Sequence, residues 1–448
     1  GLMAEADRRV VINDLVCEGC GDCSEQSNCV SVQPLETRWG VKRQIDQSAC
    51  NRDFSCLRGF CPSFVSVRGG RLRKAESAGS APPPEFSDLP EPRIPATDTP
   101  YGILVAGIGG TGVVTVSALL GMAAHIEGKG VTVLDQTGLS QKNGAVASHV
   151  RIADDARDLH AVRIADQGAA LLLGCDILAA TAQDYLGCLG PGQTQAVVNS
   201  RLVPPAAFVL DQAVDLSTER MVRRIKERTV EDAALFLDAT ALATALLGDS
   251  IATNIFLLGV AYQKGLVPLS EAAIFEAIDL NGVTVADNKR AFRWGRLAAH
   301  DPARVEAAAA PFVRAAPAPA PTALEDLVAE RAGYLTDYQD AVYAGRYRAL
   351  VTQAEQAERD RAKGRSGLAM AVARGAFKLM AYKDEYEVAR LYTDGRFAAH
   401  IARLFEGPVK LGIHLAPPLL APPDPATGRP DKREYGPWVF PLLRLLAR

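Results

Sequence analysis

Seven of the nine cysteines fall in the first seventh of the 448-residue chain, and their spacing restricts what this part can fold into more than any other feature. The first run reads Cys17-x-x-Cys20-x-x-Cys23-x5-Cys29, and the second reads Cys50-x-x-Asp53-x-x-Cys56-x4-Cys61-Pro62. Thiols at i, i+3 and i+6 can wrap one small inorganic centre, because each two-residue spacer is just long enough to turn the chain around it. That is iron–sulfur spacing. Crowded two-residue spacings suit metal ligation better than disulfides, and no secretory signal precedes them. Zinc is the stronger rival, since paired Cys-x-x-Cys units also bind it.

The two runs resemble those of two-cluster bacterial ferredoxins, in which the cysteine followed by proline ligates the other cluster. The resemblance implies a crossed pairing: Cys17, Cys20, Cys23 and Cys61 for a first [4Fe-4S] cluster, and Cys29, Cys50 and Cys56 for a second. The second set is one thiolate short. Asp53 stands in its place, so either a carboxylate holds the fourth iron or the centre is a [3Fe-4S] cluster without it. The first loop has five residues before Cys29 where the usual pattern has three, which predicts an altered fold around the second cluster.

The length suits about three domains. A hydrophobic fraction of 48%, a charged fraction of 23% and a formal net charge of −3 describe an ordinary globular chain, with no basic excess to suggest nucleic acid or an anionic membrane. No apolar run reaches the roughly 18 to 20 residues of a membrane span. A cytoplasmic protein is expected. The start, Gly1-Leu2-Met3-Ala4-Glu5, reads as neither a signal peptide nor a natural initiation, so the chain is expected to be part of something larger.

Composition divides the chain into residues 1–74, an iron–sulfur module; 75–100, a linker with seven prolines; 101–306, an α/β domain; 307–322, an Ala/Pro linker; and 323–448, a mostly helical domain. The first linker has almost nothing to bury, so the module is expected to be a separate unit on a tether. Within it, residues 9–16 suggest one strand, with 41–45 and 64–67 pairing as the others.

The α/β domain opens with a buried-type strand, Gly102 to Gly107, and a glycine turn. A helix follows from Val113 to Glu127, then a strand from Val131 to Asp135. Strand, Gly-x-Gly-x-x-Gly, helix and an acid about 20 residues on make the Rossmann dinucleotide fingerprint. Gly107, Gly109, Gly110, Thr111 and Gly112 would present backbone N–H groups to a phosphate or other anion; equally, the glycines could serve only the turn and close helix packing. Ser140, Lys142 and Asn143, in the polar loop Thr137–Gly144, could meet an anionic group at the carboxyl end of a strand. Residues 146–152, 176–181 and 195–203 read as further strands, Cys175 and Cys188 as core residues, and 218–310 as helical. Gly248-Asp249-Ser250 with Asn254 reads as a turn and cap. Beyond the second linker, 323–363, 367–383 and 385–405 read as helices. The charged run Tyr382–Leu391 reads as a solvated or interdomain face, and Trp438–Leu446 as apolar enough to need a partner surface.

With both cysteine runs, the Gly107–Gly112 turn, the Ser140–Gly144 loop and Tyr382–Leu391 in view, the chain resembles the C-terminal part of fused indolepyruvate ferredoxin oxidoreductases over nearly its whole length. The resemblance implies a ferredoxin module, a gamma-type α/β domain and a helical C-terminal domain. It also implies oxidative decarboxylation of an aryl pyruvate by thiamine diphosphate and Mg²⁺, with electrons passing through iron–sulfur clusters to ferredoxin and coenzyme A as the usual acyl acceptor. An oligomer is expected. No Gly-Asp-Gly segment with a following asparagine is present, so the thiamine site is expected on another region or subunit, and no catalytic residue is assigned. A nicotinamide- or flavin-dependent reductase with an attached ferredoxin is the alternative from another class, with Asp135 at a ribose. A non-catalytic zinc scaffold is the third.

Overall fold

The computed structural model describes residues 7–29, 31–47, 49–73, 86, 88–137, 145–202, 217–313, 321–362, 364–417, 421, 428, 430 and 432–447. The α/β unit is built on a six-stranded sheet, and strands are numbered here in chain order. Strands β5 (Tyr101–Ile108), β8 (Leu171–Gly174), β9 (Gln195–Asn199) and β10 (Ala234–Leu237) run parallel, while β7 (Ala145–Ala153) lies antiparallel between β5 and the edge strand β6 (Gly130–Gln136). Strand β5 is buried on both faces because its apolar residues alternate between two cores. Ile103 and Val105 meet the Val113–Ile126 and Thr253–Gln263 helices, and Leu104 and Ala106 meet Ile177 and Leu186.

The Thr253–Gln263 helix crosses Val285–His300 so closely that two glycines are required. A Cβ on Gly259 would lie 2.0 Å from the Phe292 carbonyl oxygen, and one on Gly295 would lie 1.9 Å from that of Phe256. Residues 176–181 form a helical turn, Ile177–Ala180, where a strand was expected, because the Asp176 side chain accepts the Ala179 N–H and caps it. The stretch 218–310, read as dominated by helical periodicity, also contains β10.

The four-stranded sheet corrects the expectation of a tethered module. Its order is β1 (Arg8–Ile12), β4 (Phe64–Leu72), β11 (Phe405–Leu415), β12 (Arg433–Tyr435), all antiparallel. Half of this sheet comes from the region expected to be helical. Val11, Val65 and Val67 pack on Leu391, Tyr392, Phe397 and Ile401 of that region, while their alternates Val10, Ile12 and Phe64 face the cysteines. Residues 41–45 do not join 64–67; β3 (Gly40–Ile45) forms a separate hairpin with β2 (Val32–Thr37). At its tip Trp39 stacks on Phe377, with centroids 5.6 Å apart, and Arg38 pairs with Glu330. Phe377 belongs to a group of three helices, Leu324–Tyr338, Ala341–Arg361 and Leu368–Met380, that close around Leu335, Tyr347 and Ala373.

The described part of the first linker is likewise not free. Phe86 packs edge-on against Trp294 at 5.7 Å, Gln263 donates to the Pro90 carbonyl at 2.7 Å, and Asp154 N–H donates to the Thr97 carbonyl at 2.8 Å. Arg296, only 3% exposed, is neutralised by Glu91 and Glu271, which allows a buried guanidinium. Residues 74–85 and 87 lie outside the described residues. Among the described residues no helix is long and apolar enough to cross a membrane.

Candidate functional site

Strand pairing determines which cysteines meet. Ile12 pairs with Phe64 and Asn13 N–H bonds the Ser63 carbonyl, so Cys17, just after β1, is brought to Cys61, just before β4. Val32 pairs with Ile45, which brings Cys29, before β2, to Cys50, after β3. The short Asp22–Ser27 helix carries Cys23 and packs on the Ser55–Arg58 turn, which carries Cys56. A Cβ on Gly59 would lie 2.8 Å from the Cys23 Cβ, so glycine is needed for that contact. Cys17, Cys23, Cys29 and Cys56 are buried, Cys50 and Cys61 half-buried, and Cys20 exposed.

The thiols interact electrostatically in two sets. Burial pushes the Cys23 thiol up to about 12, helped by the charges of Cys61, Cys17 and Cys20. Burial pushes Cys56 up to about 12 as well, helped by Cys29, Cys50 and, across the two sets, Cys23. Cys17 and Cys50 are also raised by burial, each opposed by a backbone N–H, that of Gly19 for Cys17 and of Arg52 for Cys50. The Gly19 N–H lies 3.3 Å from the Cys17 sulfur. Bare thiols crowded in this way resist ionisation; a strongly cationic centre would reverse the balance by binding the thiolates. Among the described residues no three Cys, His, Asp or Glu side chains are gathered closely enough to hold a single metal ion.

Asp53, offered by the sequence as a ligand, lies in the loop between Cys50 and Cys56. It is exposed, and its Oδ1 accepts the Ser55 N–H at 3.1 Å and the Ser55 hydroxyl at 2.9 Å, which starts the Ser55–Arg58 turn.

Lys383, Leu391, Tyr392 and Lys432 of the C-terminal region close over the first set. Tyr392, buried, donates to the Pro62 carbonyl at 2.7 Å, and Asn13 donates to the Leu391 carbonyl at 3.3 Å. Lys383 pairs with Glu18 and reaches the carbonyls of Val16 and Cys17 at 3.3 and 3.4 Å. Lys432 donates to the Cys61 carbonyl at 3.2 Å and lies over the Phe64 ring at 5.1 Å. Only the reading of Tyr382–Leu391 as an interdomain face pointed this way. Lys432 carried no local signal.

In the α/β unit, Gly110 and Gly112 occupy left-handed backbone at φ +88° and +92°, and a Cβ on Gly107 would lie 2.6 Å from Val113 Cγ2. These glycines thus serve the turn and the helix packing. Thr111 bonds the Ile108 carbonyl at 2.7 Å, and Asn254 holds the Thr111 carbonyl at 2.9 Å. Gly248 and Asp249 form the turn and cap expected of them. Ser140, Lys142 and Asn143 lie outside the described residues. Asp135 is engaged by the hydroxyls of Ser117, at 2.9 Å, and Ser148. The antiparallel β7 also separates its strand from β5, so the nicotinamide arrangement with Asp135 at a ribose is not built.

A cleft at the carboxyl ends of β5, β8 and β9 is lined by Thr111, Asp176, Asn199 and Arg201, with Gln33 and Asp46 of the cysteine module across it. Ser250 donates to Asp46 at 3.0 Å. Burial raises the Asp176 carboxyl to about 6, against the N–H groups of Ala179 and Leu178. Cys175 and Cys188 are buried, as expected of core residues.

Residues 102–298 match the family model described as Pyruvate ferredoxin/flavodoxin oxidoreductase, and 324–448 match one described as Family of unknown function (DUF6537). A Pyrococcus horikoshii protein named indolepyruvate oxidoreductase subunit IorB is 32% identical over 203 residues, 45% of this chain and 96% of that protein. Its namesake in Thermococcus kodakarensis is 30% identical over the same shares. Similar solved structures include a keto/oxoacid ferredoxin oxidoreductase gamma subunit from Geobacter sulfurreducens, at 22% identity, 45% of this chain, 98% of that chain and TM-score 0.32. Another is 2-oxoglutarate:ferredoxin oxidoreductase from Magnetococcus marinus, at 19% identity, 53% and 37% coverage and TM-score 0.34. The α/β unit makes this chain a component of the 2-oxoacid:ferredoxin oxidoreductase class. Within that class it belongs to the family of indolepyruvate oxidoreductase subunit IorB.

Proposed function

We propose that this chain is the electron-transfer component of an aryl-pyruvate, specifically indolepyruvate, ferredoxin oxidoreductase. The thiamine diphosphate and Mg²⁺ site would lie on another region or subunit, and ferredoxin would be the acceptor. The single observation that carries this reading is the pair of strand registers that bring Cys17 to Cys61 and Cys29 to Cys50. Both relatives are named as subunits, which supports a partner subunit here.

Cys17, Cys20, Cys23 and Cys61 would hold a [4Fe-4S] cluster, and Cys29, Cys50 and Cys56 a [3Fe-4S] cluster or, with Asp53 released from Ser55 to hold the fourth iron, a second [4Fe-4S] cluster. When bound, such clusters supply one-electron transfer. Val10, Ile12 and Phe64 keep water from the thiols on one side, and the Gly19 N–H stabilises the Cys17 thiolate.

Iron and sulfide analysis with low-temperature EPR of anaerobically purified protein tests the reading. About seven irons with an oxidised three-iron signal fit Asp53 as a turn cap, and about eight with coupled reduced signals fit a fourth ligand at the second cluster. Zinc without iron would overturn the electron-transfer role. The cleft beside Thr111 and Arg201 is the place for the phosphates of coenzyme A, and titration calorimetry showing no heat with coenzyme A would remove that part.

A further inference from the structure

The two thiol sets face different neighbours. Asp46 and Ala49, next to Cys50 of the second set, line the cleft of the α/β unit, whereas the first set is covered by Lys383, Tyr392 and Lys432 of the C-terminal region. The two lysines are not equivalent. Lys383 is neutralised by Glu18, while Lys432 has no carboxylate in ion-pair reach among the described residues. The acid whose field reaches it is Asp22, which accepts the Phe60 N–H. Burial works against the charge on Lys432, and the thiols that favour it are first Cys61 and Cys23 of the first set and then Cys56 of the second, with the ammonium placed directly on the Cys61 carbonyl. A positive charge held in a half-buried site beside one of two clusters stabilises the reduced form of that cluster more than the other.

We propose that Lys432 is a positioning residue that raises the reduction potential of the first cluster above that of the second, so that electrons enter on the α/β side and collect under the C-terminal region. The proposal rests on the iron–sulfur reading and assigns a task to the DUF6537 part of the chain. No new ligand is involved: one electron leaves the second cluster, which is oxidised, and reduces the first.

Redox-poised EPR of the intact chain separates the outcomes. In Lys432→Met the higher of the two midpoints, that of the first cluster, is expected to fall, with its oxidised-to-reduced ratio at the wild-type midpoint rising at least tenfold, about 59 mV for one electron. The other midpoint stays put, and Lys432→Arg restores the first. Lys432→Gln deletes the charge but keeps a donor for the Cys61 carbonyl, so it supplies the same reading if the methionine variant does not fold. Two iron–sulfur signals whose midpoints are unmoved, or moved equally, in the charge-deleting variants would overturn the proposal while leaving the clusters in place. Absence of iron in the wild type would overturn both.

Discussion

Asp176 shows how one residue can be kept at a cost. Its folded carboxyl sits near 6 and its unfolded one near 3.8, so this group favours folding most below pH 3.8 and loses that contribution as pH rises through 6. The difference amounts to roughly 3 kcal/mol against the folded state at pH 8. Asparagine can cap the Ile177–Ala180 turn without the charge. Asp176→Asn is therefore expected to be more stable than wild type at pH 8, with the gain shrinking towards pH 4, in urea unfolding at several pH values. Gly19 makes the opposite case. At φ +71°, with a Cβ position 2.1 Å from the Val41 carbonyl oxygen, it has no substitute. Gly19→Ala should destabilise by more than about 2 kcal/mol and lower the iron content per chain. That the cysteines gather in two sets was legible because their spacing is local in sequence. The bonds of Asp53 to Ser55 were not, because an aspartate that can hold a metal and one that caps a turn look alike in sequence. Lys432 was beyond any local pattern, since it meets Cys61 across 371 residues.

At the scale of elements, β11 decides the architecture. The sequence pattern ends its last long helix at Phe405 and assigns no element to 406–415, because Phe405–Leu415, with its glycines and proline, alternates only weakly between apolar and polar residues. Its inward residues show why it pairs: Ile413 is fully buried opposite Val65, and His414 bonds Ser66 at 2.9 Å. Ile413→Ala should cost about 2–5 kcal/mol, read as a shift in unfolding midpoint with unchanged denaturant slope. Burial lowers His414 to about 4, with Lys432, Arg8 and Arg68 acting in the same direction and Glu434 against it. A histidine lowered in the folded state contributes its full stability above the unfolded value of 6.5 and loses it as pH falls towards 4, by roughly 3 kcal/mol. His414→Gln should flatten that part of the pH–stability curve, measured against wild type at pH 7 and pH 4.5. In the α/β unit, by contrast, β5, its glycine turn and the following helix were all legible. What sequence could not show was the insertion of β7 between β5 and β6, because strand order is set by tertiary pairing.

At the scale of the whole molecule, the described residues replace the picture of a cysteine module on its own tether with two sheet-built units. One is the six-stranded α/β unit with residues 88–100 laid along it; the other joins β1 and β4 of the cysteine module to β11 and β12 of the C-terminal region in a common sheet. Composition could not reveal this, because a proline-rich stretch looks the same whether it hangs free or lies in a groove, as Pro90 does against Gln263 and Arg296. Calorimetry on Ile413→Ala should lower the melting of the cysteine module and the C-terminal helices together, leaving the α/β transition in place. Independent melting of the module at its wild-type temperature would restore the tethered picture.

The shared sheet also imposes an order on biosynthesis. Strand β4 emerges from the ribosome about 330 residues ahead of its neighbour β11. At about 5–20 residues per second, that leaves the cysteine-bearing segment with an open flank for roughly 20–60 s. During that interval the thiols of the first set lack the covering that Tyr392 and Lys432 will provide, so a nascent chain is exposed to oxidants there in a way the finished protein is not.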